Sequence, residues 1–152
     1  TGVNLEKNFK DIYNFKFSST VGITSVEDQP KSSLINSINT IKSSSFDLII
    51  EKNNLFKDDQ FFISINQPNR VESGSLSIKI PELADINGNI SHRLADLDLS
   101  PNGRQINLGL GYTKKFNEKL FGSIKNISTK DLNHNSSNKI ENTLLISGSI
   151  KF

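Results

Sequence analysis

Apolar and polar residues alternate along most of this chain. A period of two marks a strand with one apolar and one polar face. Eight segments carry the pattern. The first, Lys10 to Ser25, sets Tyr13, Phe15, Phe17, Val21 and Ile23 against Asn14, Lys16, Ser18, Thr20 and Thr24. The second, Ser33 to Glu51, sets Leu34, Ile38, Phe46, Leu48 and Ile50 against Ser37, Asn39, Ser43, Ser45 and Asp47. The third, Gln60 to Gln67, is blurred by the Phe61-Phe62 pair and is expected to break at Pro68, which has no N–H for a ladder. The fourth runs from Val71 to Ile80 and is expected to end at Pro81. Ser91 to Leu99 follows, then a tight-turn sequence, Ser100-Pro101-Asn102-Gly103. Arg104 to Thr113, Lys119 to Ile127 and Asn142 to Phe152 complete the set.

The polar face stays rich in Ser, Asn, Thr, Gly and Lys from strand to strand, and the first two segments far exceed the ~5–6 residues usual in globular sheets. The expected fold is all-β and antiparallel: an up-and-down barrel of outer-membrane type with about eight strands, or alternatively a soluble β-sandwich. A barrel strand crosses a bilayer in ~9–11 residues, and most of these segments are that long. The barrel reading also predicts where aromatics lie. With Phe152 at the periplasmic end, Phe9, Tyr13, Phe61, Phe62, Tyr112, Phe116 and Phe121 also fall near periplasmic strand ends. Phe15, Phe17 and Phe46 lie deeper, and Phe56 falls in a periplasmic turn. A girdle of this kind belongs to barrels. The long polar loop Thr129 to Glu141 then faces outward, and the short turn Lys114 to Glu118 faces the periplasm.

Composition narrows the classes. The chain has 152 residues, enough for one domain over 1–152. It lacks the ~18-residue apolar run that a spanning helix requires. Hydrophobic residues are 34%, which fits strands that are polar on one face. The absence of Cys removes disulfides and Cys-bound metals, and a net charge of +2 gives no electrostatic footprint for nucleic acid. Ala occurs only at Ala84 and Ala95, against helix. No start Met or secretory leader is present, so a processed product or fragment is expected.

Asn142 to Phe152 resembles the terminal signal of outer-membrane barrels, a final Phe with apolar or Gly residues at alternate preceding positions: Phe152, Ile150, Gly148, Ile146 and Leu144. The resemblance implies recognition by the barrel-assembly machinery. Two further segments, Phe61-Phe62-Ile63-Ser64-Ile65-Asn66-Gln67-Pro68-Asn69-Arg70-Val71-Glu72-Ser73-Gly74 and Asp96-Leu97-Asp98-Leu99-Ser100-Pro101-Asn102-Gly103-Arg104-Gln105-Ile106, resemble the carboxy-terminal region of proteobacterial autotransporter-type subtilisin-like serine proteases. There a QPxRVxSG segment and a DLxLSPxGRE/Q segment precede a last strand ending in Phe. The matching positions are Gln67, Pro68, Arg70, Val71, Gly74, Pro101, Gly103 and Arg104, and the likeness covers roughly Ser44 to Phe152. Asn69 stands where Leu is common. The resemblance implies a non-catalytic β-domain that anchors or helps export a protease passenger lying upstream.

Candidate chemistry is sparse. Ser91, His92, Asp96 and Asp98 offer the residue types of a triad, but neighbours on a strand point to opposite faces. His134 sits in a Ser/Asn loop, where solvation is the default. Asp85-Ile86-Asn87-Gly88-Asn89 resembles part of a calcium loop, yet it lacks the later bidentate Glu, and Asn87-Gly88 is itself a type I′ turn signal. Gly109 and Gly111 fit relief of crowding on an inner face better than a phosphate loop. Arg70 and Arg104 flank turns, with Glu72 near the first; an ion pair pinning turns, lipopolysaccharide contact and plain solvation are the alternatives, solvation being the default. Lys16, Lys79, Lys125 and Lys151 are expected to find Asp47, Asp96 and Asp98 on the polar face. No catalytic, cofactor or metal set emerges. The expected partners are outer-membrane lipid, the assembly machinery and a passenger, and no nucleic acid; the location is the outer membrane, or alternatively the periplasm or exterior.

Overall fold

A computed structural model describes residues 1–10, 12–26 and 34–151. Phe152, and Ser33 at the start of the second predicted strand, lie outside them. The described chain is all-β, with antiparallel strands and one short 3-10 turn, Leu132–His134. The strands are β1 (Gly2–Phe9), β2 (Tyr13–Thr24), β3 (Ile35–Ile38), β4 (Ile41–Asn53), β5 (Asp59–Ser73), β6 (Ser75–Ala84), β7 (Ile90–Asp98), β8 (Ile106–Lys115), β9 (Leu120–Lys130) and β10 (Glu141–Ile150). They form a seven-stranded sheet, β1-β2-β4-β5-β8-β9-β10, and a three-stranded sheet, β3-β6-β7. No ladder joins β1 to β10, so no closed barrel is found among the described residues.

The chain divides into two compact units, interleaved in sequence. The first comprises Thr1–Thr20, Ser45–Asn69 and Asn102–Phe152. Its ladders carry the predicted alternation across the sheet. Phe61, Ile63 and Ile65 of β5 face Tyr112, Leu110 and Leu108 of β8. Tyr112 faces Ile124 of β9, which faces Ile146 of β10. On the opposite face Phe62 pairs with Gly111 and Ser64 with Gly109. That placement explains the Phe61-Phe62 pair: the two rings lie on opposite faces. A Cβ on Gly111 would stand 2.1 Å from Phe62 Cε1, so the ring occupies the glycine's missing side chain.

β1 pairs with β2 from Gly2↔Thr20 to Phe9↔Tyr13 and was not among the eight predicted segments. Its apolar row, Val3, Leu5 and Phe9, is interrupted by Lys7. The Lys7 ammonium lies 5.5 Å from the Phe9 ring centroid, so the side chain stays on the apolar face while its charge is met by the aromatic π-face.

Pro68 does not break β5. The β5–β8 ladder ends at Asn66↔Asn107, before the residue that lacks an N–H on that side.

The second unit comprises Val21–Ser44 and Arg70–Pro101. Leu76, Ile78 and Ile80 of β6 face Leu97, Ala95 and Arg93 of β7, while Ser75 and Ser77 face Asp98 and Asp96. Pro81 does not end β6 either; it pairs with His92 beside a register shift, a place where a ladder tolerates proline. The predicted second strand is two strands in two sheets. β3 joins β6, and the chain changes sheets at Asn39, whose N–H donates to Ser75 O at 2.9 Å.

Among the described residues no hydrophobic side chain is buried. Ile146 is 74% exposed, and Leu144, Ile150, Leu110 and Leu108 are also exposed. The apolar face formed by alternation is therefore uncovered.

Candidate functional site

The two family-like segments meet twice, once in each unit. In the first unit Gln67 is 3% exposed, and Arg104 Nη1 donates to its Oε1 at 2.5 Å. Beside them the Leu132–His134 turn closes over Gly103. The Gly103 N–H donates to His134 O at 2.8 Å, and the Gln105 N–H donates to His134 Nδ1 at 3.0 Å. Because Nδ1 accepts, the ring's proton resides on Nε2, which donates to Asn69 O at 3.1 Å. The Asn133 N–H donates to Gln105 Oε1 at 2.8 Å, and the Arg104 N–H to Asp131 Oδ2 at 3.3 Å. These bonds support Asp131, Asn133 and His134 in left-handed conformation, at φ of 52, 56 and 56°, which is uncommon for non-glycine residues. Gly103 has no alternative here: a Cβ would stand 2.5 Å from Ser136 N and 2.9 Å from His134 O. His134 is thus a structural tie between two turns and a strand, where solvation was expected.

In the second unit Arg70 is the tie. Its Nη1 donates to Glu72 Oε2 at 2.6 Å and to Val71 O at 3.2 Å, and Nη2 donates to Pro101 O at 2.7 Å. Ser44 Oγ donates to the other Glu72 oxygen at 2.6 Å. Turn pinning, one of the three alternatives for Arg70, is the arrangement found. Gly74 lies close to Ile41, where a Cβ would stand 3.1 Å from Cγ1. Of the family-like residues, Gln67, Gly103 and Arg104 meet in one cluster, and Arg70, Val71 and Pro101 in the other. Pro68 lies on β5 beyond its pairing with β8.

The carboxy-terminal row sits on β10, an edge strand whose residues are all exposed. Leu144, Ile146, Gly148 and Ile150 oppose Asn126, Ile124, Gly122 and Leu120 of β9.

The remaining candidates are occupied by structural bonds. The Ser91 hydroxyl donates to Leu83 O at 3.2 Å, and Asp98 accepts from the Ser100 N–H and hydroxyl at 2.8 and 2.7 Å. His92 pairs across the ladder with Pro81. In the Asp85 turn, Oδ1 accepts from the Asn87 and Asn89 N–H groups at 2.8 Å each, and Oδ2 from Asn89 Nδ2 at 2.9 Å. Those donors fill the carboxylate that a calcium ion would use. Asn89's side chain and backbone hold the Asp85 carboxyl below its ordinary range. Gly88 is left-handed at φ 81° but Asn87 is not, so the connection is an Asp-capped turn and not type I′.

Among the described residues the lysines do not pair with the expected aspartates. Lys16 pairs with Glu51 at 3.1 Å, with Asn14 Nδ2 donating to the same carboxylate at 2.9 Å, and Lys125 lies 5.5 Å from the Phe62 ring centroid. Among the described residues no group of three or more His, Cys, Asp and Glu side chains is placed to hold a metal.

Many aromatics of the first unit gather at one end of its strands, while Phe15 and Phe17 lie farther along β2, opposite Lys7 and Leu5. Phe9 faces Tyr13 and Phe61 faces Tyr112, while Phe116 lies in the β8–β9 turn and Phe121 at the start of β9. The Lys52 ammonium lies 5.5 Å from the Tyr13 ring centroid. No family model, no curated protein and no solved structure matches this chain.

Proposed function

We propose that this chain is a non-catalytic β-domain of the bacterial outer membrane, part of a barrel that anchors or helps export a subtilisin-like protease passenger. The uncovered apolar face carries this reading. Each Leu or Ile left in water forgoes roughly 1.5–3 kcal/mol of burial, and here rows of them stand exposed on neighbouring strands. Lipid on that face recovers the loss. A soluble sandwich needs two inner faces interdigitating ~10 Å apart, and no described apolar side chain is buried in such an interior.

Two further features support the same reading. On β5 the apolar positions Phe61, Ile63 and Ile65 are bracketed by the buried Asp59 and Gln67. Asp59 accepts from the Tyr112 hydroxyl at 2.7 Å, and Gln67 from Arg104. The bracket measures about 27 Å of strand, roughly 20 Å in height at a tilt of ~40°, against ~25 Å for the apolar band of outer-membrane barrels. The aromatic and lysine rim at one sheet end suits a bilayer interface. Bacterial barrels have an even number of antiparallel strands; on this reading the barrel takes in strands besides the seven of this sheet. Leu144, Ile146, Gly148, Ile150 and Phe152 then serve as the assembly signal.

Membrane extraction tests the proposal. The full chain, targeted to the periplasm of a Gram-negative host, is expected in the outer-membrane fraction, released by detergent and retained in high salt. A monodisperse chain in buffer without detergent overturns it.

A further inference from the structure

The edge of β10, unpaired among the described residues, has a bonding pattern that can be read from its register. The Lys151 N–H donates to Lys119 O at 2.8 Å, continuing the ladder in which Glu141 opposes Thr129 and Ile150 opposes Leu120. In an antiparallel pair, hydrogen-bonded and non-bonded positions alternate. Odd-numbered residues of β10 therefore bond to β9. Asn142, Leu144, Ile146, Gly148 and Ile150 turn their N–H and C=O groups to the open side. Asn142 to Ile150 contains no charge and no Pro, the usual guards of a natural edge.

The strand at the other edge, β1, cannot complete an antiparallel ladder with β10. The ladder registers make β1–β2, β5–β8, β8–β9 and β9–β10 antiparallel. The bonds Asn53 N–H to Ile12 O and Asn54 N–H to Asp59 O, with the Asn14–Glu51 contact, run β4 opposite to both β2 and β5. Counted along the sheet, β1 and β10 point the same way.

We propose that β10 pairs with β10 of a second copy of this chain, in an antiparallel twofold ladder centred on Ile146. Outward bonding groups on even residues require even residues to face even residues. That rule also keeps Leu144, Ile146 and Ile150 of both copies on one face. Within it, charge selects the register. Centring on Ile146 sets Glu141 opposite Lys151 of the second copy at both ends of the ladder, with Leu144 opposite Gly148. Centring on Leu145 instead sets Glu141 opposite Ser149, and the match is lost. The contact is isologous, as closed dimers require. The ladder runs the two β10 strands in opposite directions, so two copies that cross a bilayer the same way do not form it; it belongs to chains outside the bilayer, and its test is separate from that of the membrane reading.

The native chain has no Cys, so single cysteines report cleanly. In the full chain, in detergent micelles, Ile146→Cys is expected to give a covalent dimer with a short bis-maleimide, its two copies lying about 5.5 Å apart between Cα atoms. Ser149→Cys, whose copies lie six residue steps or about 20 Å apart, is expected to stay uncross-linked. Lys151→Glu is expected to raise the dimer dissociation constant about tenfold through the two end pairs, and adding Glu141→Lys to restore it. Equal cross-linking of Ile146→Cys and Ser149→Cys, or a native chain that sediments as a monomer at every concentration, overturns the proposal. A chain that is monomeric in micelles defeats the dimer and leaves the membrane reading standing; a dimer in plain buffer does the reverse.

Discussion

β5 and β10 belong to one sheet and share the same alternation, yet they live in different surroundings. β5 has a neighbour on each side, and its two most buried residues are polar, Asp59 and Gln67. β10 has a neighbour on one side and is exposed at every position. Alternation thus decides which face a side chain takes, while pairing on both sides decides how far it is shielded. Polar groups are tolerated inside β5 because each has a bonded partner. β5 and β10 thus carry two kinds of sequence signal. Gln67 is buried and bonded within the protein, whereas Ile146 and Leu144 stand exposed.

Substitutions can break this contrast in a graded way. The largest effect is expected at Gly103. Gly103→Val pushes a side chain into the backbone of Ser136 and His134 and should cost about 3 kcal/mol, read as a lower urea midpoint of β-sheet circular dichroism. A midpoint unchanged from the native chain would show that the 131–138 loop does not close over the turn. Next is Arg104→Ala, which removes the Arg104 donor from the buried Gln67 carbonyl and should cost about 2 kcal/mol. Hydrogen exchange should quicken at Gln67 and Gln105 and leave β10 unaffected; equal quickening on both strands would erase the distinction. The smallest effect is in the Asp85 turn. Its carboxyl titrates below the ordinary aspartate range when folded, so its contribution is complete above about pH 4 and is lost as pH falls through that depressed value. Amide exchange of Asn87 and Asn89 in acid should therefore accelerate in the native chain but not in Asp85→Asn. A flat native profile would remove the carboxylate from the account.

Much of the fold is legible in period two. The face assignments of Tyr13, Phe15 and Phe17, of Leu76, Ile78 and Ile80, and of Leu144 and Ile146 follow from alternation alone. β1 escaped because Lys7 interrupts its apolar row, and the cation over Phe9 that makes this tolerable is a contact with no sequence signature. The two prolines misled for a shared reason. Proline forbids a ladder bond, not a strand, and both Pro68 and Pro81 sit where a ladder stops or shifts. The change of sheet at Asn39 left no mark in a run that alternates on both sides of it. The candidate clusters were legible only as motifs. His134 lies 65 residues from Asn69, and nothing local announces that its ring joins them. The calcium-like loop was misleading because its donors serve its own carboxylate.

The second unit interrupts the first, and that interruption sets a temporal order. β8, β9 and β10 form a meander whose partners are close in sequence, joined by the short Phe116–Lys119 turn and the 131–140 loop. β5 can meet β8 only across the whole of 74–105, which must be gathered in first. Local ladders form quickly and distant ones wait for loop closure. The last third of the chain is therefore expected to assemble early as a unit of its own, with docking of β5 onto β8 the slower step.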